Sequence, residues 1–222
     1  EALELGVLPP TMREGNIALI LKPGTDAIDP TAYRPITIIN ADIKILCKVL
    51  ANRLKPVITK LIHEDQCGFI PGRNTTMNLR RLAHILHSTI GGEEDQALLS
   101  IDIAKAFDTV DWTYLARVLV HMGFGPRFRK WIKLLYTLPT GRVRLSAATS
   151  EQWQIFRGTR QGCPLSPMLF AMAIEPMAIW ARTEMIPWGI KIKNNTHIIS
   201  LYADDALFYI TNPTIAIPKL MA

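Results

Sequence analysis

An α+β fold, with helices packed on one face of an antiparallel sheet, is what this 222-residue chain predicts. Two observations carry that expectation. The apolar residues recur with strand period in some segments and helix period in others, in the order strand, helices, strands, helix and hairpin. The composition, 49% hydrophobic and 20% charged, is that of a folded domain, long enough for one large domain or two subdomains sharing a core.

Taken in order, Ile17 to Leu21 reads as a strand and runs into a Gly/Asp/Pro-rich loop, Pro23 to Pro30. Leu46, Val49, Leu50, Leu54, Val57, Ile58 and Leu61 recur at helical spacing, with a kink expected at Pro56. After a loop at Gly68 to Thr75, Asn78 to Ile90 forms a second amphipathic helix, ended by Gly91-Gly92. Ala97 to Ile103 is a short buried strand. Helices follow at Trp112 to His121 and Pro126 to Leu138, the second opened by a first-turn proline. Arg142 to Ala147 and Gln152 to Arg157 alternate around a small-residue turn, as a hairpin does. Pro164 to Arg182 is helical, and strands at Ile198 to Ala203 and Ala206 to Ile210 complete the set. The five tryptophans are expected in the core, and the five histidines show no metal-ligand spacing.

Twenty-five basic against nineteen acidic residues leave a net charge of +6, compatible with a polyanionic partner without requiring one. Three scattered cysteines, Cys47, Cys67 and Cys163, fit neither a disulfide framework nor a zinc site and point to a reduced, intracellular protein. Glu1 stands where a start methionine would, so the chain is expected to begin inside a longer one. The longest apolar region, Leu165 to Trp180, is interrupted by Ser166, Pro167, Glu175 and Pro176, and no membrane partner is expected.

The chemistry concentrates in acids placed inside apolar strands. Asp204 and Asp205 interrupt the run IISLYADDALFYI, and Asp102 ends the strand ALLSID. An isolated Asp-Asp is most simply a good turn. Its apolar flanks, and a second acid-ended strand, favour convergence at one sheet edge. Unit charges about 4 Å apart repel by roughly 4 kcal/mol at an effective dielectric near 20, so converging carboxylates call for a cation. With no His or Cys nearby in sequence, a hard oxygen-seeking ion such as Mg²⁺ suits them, and two such ions are the usual device for phosphoryl transfer.

Six blocks in order make the chain recognisable: LKPG from Leu21, YRPITIIN from Tyr33, QCGFIPGRNT from Gln66, SIDIAKAFDTVDW from Ser100, GTRQGCPLSPMLF from Gly158, and YADD from Tyr202. Together they resemble the reverse transcriptase domain of non-LTR (LINE-type) retrotransposons. The resemblance implies the fingers and palm of a right-hand polymerase, approximately residues 1–92 mainly fingers and 93–222 mainly palm. It implies an RNA-directed DNA polymerase in which Asp102, Asp204 and Asp205 hold two Mg²⁺ ions, Mn²⁺ being a possible substitute. Its partners are an RNA template, a DNA primer or target, and dNTPs. Phe107 matches the steric gate that rejects a ribose 2′-hydroxyl, the alternative being a core aromatic at a strand-to-helix junction. Lys22 and Arg34 match positions that clasp the triphosphate, for which the planar Arg fork is suited. Gln161 matches a position near the incoming sugar and base pair. Arg157 and Arg160 are phosphate contacts or surface charge. Lys105, Asp108, Arg73 and Asn78 lie in matched blocks without an assigned role, and Met77 departs from the acid that many relatives carry there.

The resemblance leaves a thumb and an endonuclease domain outside this chain, so the fragment alone is expected to extend primers poorly or not at all. The alternative is a truncated, inactive nucleic-acid-binding relic of such an enzyme. A different two-metal enzyme, such as a nuclease, fits less well, because it has no use for a sugar gate.

Overall fold

The computed structural model describes residues 1–89, 95–145 and 148–221. Its helices are α1 (Ala2–Leu5), α2 (Pro10–Arg13), α3 (Ala41–Leu61), α4 (Thr75–Thr89), α5 (Ala106–Thr109), α6 (Trp112–His121), α7 (Pro126–Leu135), α8 (Ser166–Glu184) and α9 (Pro213–Met221). Its strands are β1 (Glu14–Leu21), β2 (Tyr33–Ile39), β3 (Gln96–Asp102), β4 (Thr140–Arg144), β5 (Trp153–Gln154), β6 (Ile190–Ile192), β7 (Asn195–His197), β8 (Ile199–Tyr202) and β9 (Asp205–Thr211). The chain divides into two compact units, one of residues 1–54 and 107–170, the other of 55–106 and 171–222. Among the described residues no helix is long and apolar enough to cross a membrane.

The first unit carries a four-stranded sheet in the order β2-β1-β4-β5. β1 and β2 run antiparallel with Ile17 opposite Thr37, whereas β1 and β4 run parallel with Glu14 opposite Thr140. The sequence pattern does not predict β2, because Arg34-Pro35 breaks its alternation. Proline offers no ladder N–H, and β2 tolerates it as an edge strand. The hairpin predicted after the second helix is β4–β5, with Thr140 opposite Gln154. It starts two residues earlier than expected, and its turn residues Ser146 and Ala147 lie outside the described set. So does the Gly91-Gly92 helix end. α6 keeps its predicted bounds because Asp111 accepts a hydrogen bond at 2.7 Å from the Tyr114 N–H, capping its first turn.

The second unit holds a three-stranded antiparallel sheet, β3-β9-β8, and the β6–β7 hairpin. Ala206, Phe208 and Ile210 of β9 pack with Ala178, Ala181 and Met185 of α8 and Ala216 of α9. Tyr209, pointing the opposite way along the same strand, packs instead with Ile85 of α4 and Ile190 of β6. The α+β class therefore holds, but elements cover both faces of this sheet rather than one. That explains why β8 and β9 read as nearly unbroken apolar runs.

Candidate active site

The carboxylates meet through strand register. β3 pairs antiparallel with β9 so that Asp102 stands opposite Asp205, and β8 pairs with β9 so that Tyr202 stands opposite the same residue. Ala203 and Asp204 are then the two-residue turn between β8 and β9. Ala203 has φ +57°, a backbone state that costs an L-residue roughly 1–2 kcal/mol. Gln66 holds it there. Fully buried, Gln66 accepts hydrogen bonds through Oε1 from the N–H groups of Ala203 (2.9 Å) and Gly68 (2.8 Å), and donates from Nε2 to the Ala203 carbonyl (3.1 Å).

The same segment fixes β8 beside the turn. Leu201 donates its N–H to Asp65 O at 2.8 Å and accepts from Cys67 N–H at 2.9 Å, and Asn78 Nδ2 donates to the Leu201 carbonyl at 2.9 Å. Gly68 is glycine because a Cβ would stand 2.2 Å from the Ala203 nitrogen. The block QCGF is thus the clamp of the acidic turn.

Asp102 and Asp205 are exposed and Asp204 is half-buried. Among the described residues none of the three forms an ion pair. Oxygen-only donors at a strand end suit a hard divalent cation. The register brings two carboxylates to one position, with Asp204 one residue away. Among the described residues, however, no three His, Cys, Asp or Glu side chains are gathered to hold one ion.

Nearby acids of the same unit behave otherwise. Asp65, 7% exposed, accepts from Arg81 and is paired with His63 Nδ1 at 2.9 Å and Arg182 at 3.5 Å; Arg182 also pairs with Glu175, 2% exposed. Burial pushes the Glu175 carboxyl upward in spite of Arg182. The network leaves no local pattern in the sequence, because Arg182 joins its two acids by reaching Asp65 across 117 positions.

The other expected residues lie in the first unit. Lys22 donates from Nζ to the Thr31 carbonyl at 3.0 Å, and Arg34 projects from β2 as an exposed residue. Phe107 is half-buried and stacked on Phe170, with ring centroids 4.5 Å apart. Its carbonyl accepts from Thr159 N–H at 2.6 Å, which ties it to the GTRQGCP loop. In that loop Gln161 donates from Nε2 to Asp108 Oδ2 at 3.2 Å, while its carbonyl accepts from Thr37 N–H at 2.9 Å. Gly162, at φ +101°, lets the loop approach β2, since a Cβ would lie 2.7 Å from the Thr37 carbonyl oxygen.

Several matched-block residues prove to be supports. Arg73 donates to the carbonyls of Thr59, Ile62, His63 and Gln66, closing the C-terminal end of α3. Arg160 is half-buried and donates from Nη2 to the Arg13 carbonyl at 2.8 Å, so it is not a freely solvated surface charge. The interaction of the two buried thiols raises the pKa of Cys47 and lowers that of Cys163. Trp153 and Trp180 are each 41% exposed, so the expected core placement fails for both.

An α+β chain with an acidic two-residue hairpin on an antiparallel sheet has the fingers-and-palm fold of a right-hand polymerase. Telomerase from Candida tropicalis, solved in complex with a TWJ fragment of telomeric RNA, shares that fold. The TM-score is 0.62 at 11% identity, over 97% of this chain and 38% of that one. The family model for reverse transcriptase (RNA-dependent DNA polymerase) matches residues 20–221, and the chain belongs to that family, in its non-LTR retrotransposon branch. The transposon TX1 uncharacterized 149 kDa protein of Xenopus laevis is 34% identical over 207 residues, covering 93% of this chain. The retrovirus-related Pol polyprotein from type-1 retrotransposable element R2 of Popillia japonica is 30% identical over 173 residues, covering 78%. The chain spans 16% and 24% of the lengths of these two relatives. As a family, reverse transcriptases use divalent metal ions.

Proposed function

We propose that this chain is the nucleotidyl-transfer part of an RNA-directed DNA polymerase that extends a primer with dNTPs along an RNA template. The observation supporting it most strongly is the register that sets Asp102 opposite Asp205 beside the clamped turn carrying Asp204. Asp102, Asp204 and Asp205 are the residues that would hold two Mg²⁺ ions, with Mn²⁺ a substitute. Bare carboxylates about 4 Å apart repel by roughly 4 kcal/mol, which favours separated side chains until a cation joins them. Bound there, the ions would supply charge neutralisation for transfer of an α-phosphate to a primer 3′-hydroxyl.

The chain's own residues do the positioning. Arg34 and Lys22 pair with triphosphate oxygens, Arg34 through two parallel N–H donors. The Phe107 ring, braced by Phe170, blocks a ribose 2′-hydroxyl. Gln161, oriented by Asp108, faces the incoming sugar and base pair. Residues 1–92 act mainly as fingers and 93–222 mainly as palm.

The test is RNA-templated dNTP incorporation by the longest open frame containing this chain. Mg²⁺-dependent incorporation that falls at least about 100-fold in Asp204→Asn supports the assignment. Incorporation surviving that change refutes it. Failure of the wild-type protein to incorporate, with RNA binding intact, indicates the inactive relic.

A further inference from the structure

The positive charge of this protein is not spread along it. Residues 112–150 carry seven Lys or Arg and no Asp or Glu, while the whole chain has an excess of six, so the other 183 residues are one charge short of neutral. The stretch folds as α6, α7 and β4. Between α6 and α7 lies a groove of about 680 Å³, and Arg117, Arg129, Lys130 and Lys133 all line it. Positions 129, 130 and 133 recur on one face of α7, as 3.6-residue periodicity requires. Arg129 Nε is buried and, among the described residues, has no hydrogen-bond partner.

Most of the groove's large aliphatic lining is buried in the fold, although Ala116 and Pro126 are exposed and the Trp112 and Tyr136 rings half-buried. Leu115, Leu119 and Ile132 are each at most 4% exposed, and of the large aliphatic side chains in the groove only Val120, 49% exposed, offers free surface. An acidic amphipathic helix would need several open apolar positions to anchor it. A sugar–phosphate backbone needs mainly a line of unopposed cations.

We infer that the α6–α7 groove is a docking site for a nucleic-acid phosphate backbone, formed by residues other than those of the acidic hairpin. It rests on the polymerase reading only for the identity of the polyanion, and its test needs no catalysis.

The experiment measures binding of a fluorescein-labelled single-stranded RNA to the 222-residue chain by anisotropy, in EDTA, across a salt series. The double variant Lys130→Gln/Lys133→Gln is compared with Lys191→Gln/Lys193→Gln, which removes equal charge from exposed positions of the β6–β7 hairpin. All four side chains are exposed, so folding is expected to persist, and a thermal melt confirms it. The groove variant should bind at least about fivefold more weakly, with a salt slope lower by about 1.4, or roughly 0.7 for each phosphate no longer neutralised. The hairpin variant should change less than about twofold. Equal weakening by both overturns the assignment in favour of net charge alone. Displacement of the RNA by a poly-glutamate peptide at equal or lower charge concentration overturns it in favour of an acidic protein partner. Because divalent ions are chelated, the outcome is independent of whether Asp204→Asn abolishes incorporation.

Discussion

Two acidic centres occur in the second unit, and their surroundings are opposite. Asp65 and Glu175 are buried under Arg81, Arg182 and His63, with their charge answered inside the protein. Asp102, Asp204 and Asp205 are exposed or half-buried and, among the described residues, meet no Lys or Arg. One centre is a structural joint whose acids are paired with cations of the protein itself. The other keeps its charge available, and its geometry is enforced by backbone register and by neutral hydrogen bonds from Gln66. Neighbours, not residue type, separate the two roles.

The contrast is broken most readily through stability. Asp65→Ala leaves the half-buried Arg81 and Arg182 without their shared partner and should cost about 3 kcal/mol in urea unfolding. Asp204→Asn removes no ion pair and should change stability by less than about 0.5 kcal/mol. Equal losses from the two would erase the distinction. Next in size is Gly68→Ala, whose Cβ must displace the Ala203 backbone. It should cost about 1–3 kcal/mol and lower incorporation as well, since the turn carries Asp204. A stability loss with unchanged incorporation would show that the clamp serves the fold alone. A smaller loss than that of Gly68→Ala belongs to Phe107→Val. It forfeits the stack on Phe170, worth about 0.5–1.5 kcal/mol, and should relax dNTP over rNTP selection by about tenfold. An unchanged ratio would return the ring to a packing role.

Much of this was legible in the chain because it is local. Asp111 caps α6 three residues from its partner, and the apolar runs of β8 and β9 announce their burial. β2 was hidden by Pro35, whose lack of an N–H is harmless only on an edge that the sequence does not mark. The three-residue strands β6 and β7 are too short to show a period. In the candidate site the acids stood out against their apolar flanks, but their pairing depends on a ladder between residues a hundred positions apart. Gln66 gave no signal of its purpose, because its bonds to Ala203 cross 137 positions and its type is ordinary in loops.

Whether the unpaired carboxylates hold divalent ions is tested most directly by Mn²⁺ titration of the folded chain, followed by electron paramagnetic resonance. Wild-type protein should bind Mn²⁺ in a form displaced by Mg²⁺, and Asp102→Asn should weaken that binding at least about tenfold. Identical Mn²⁺ isotherms for the two proteins would contradict the account.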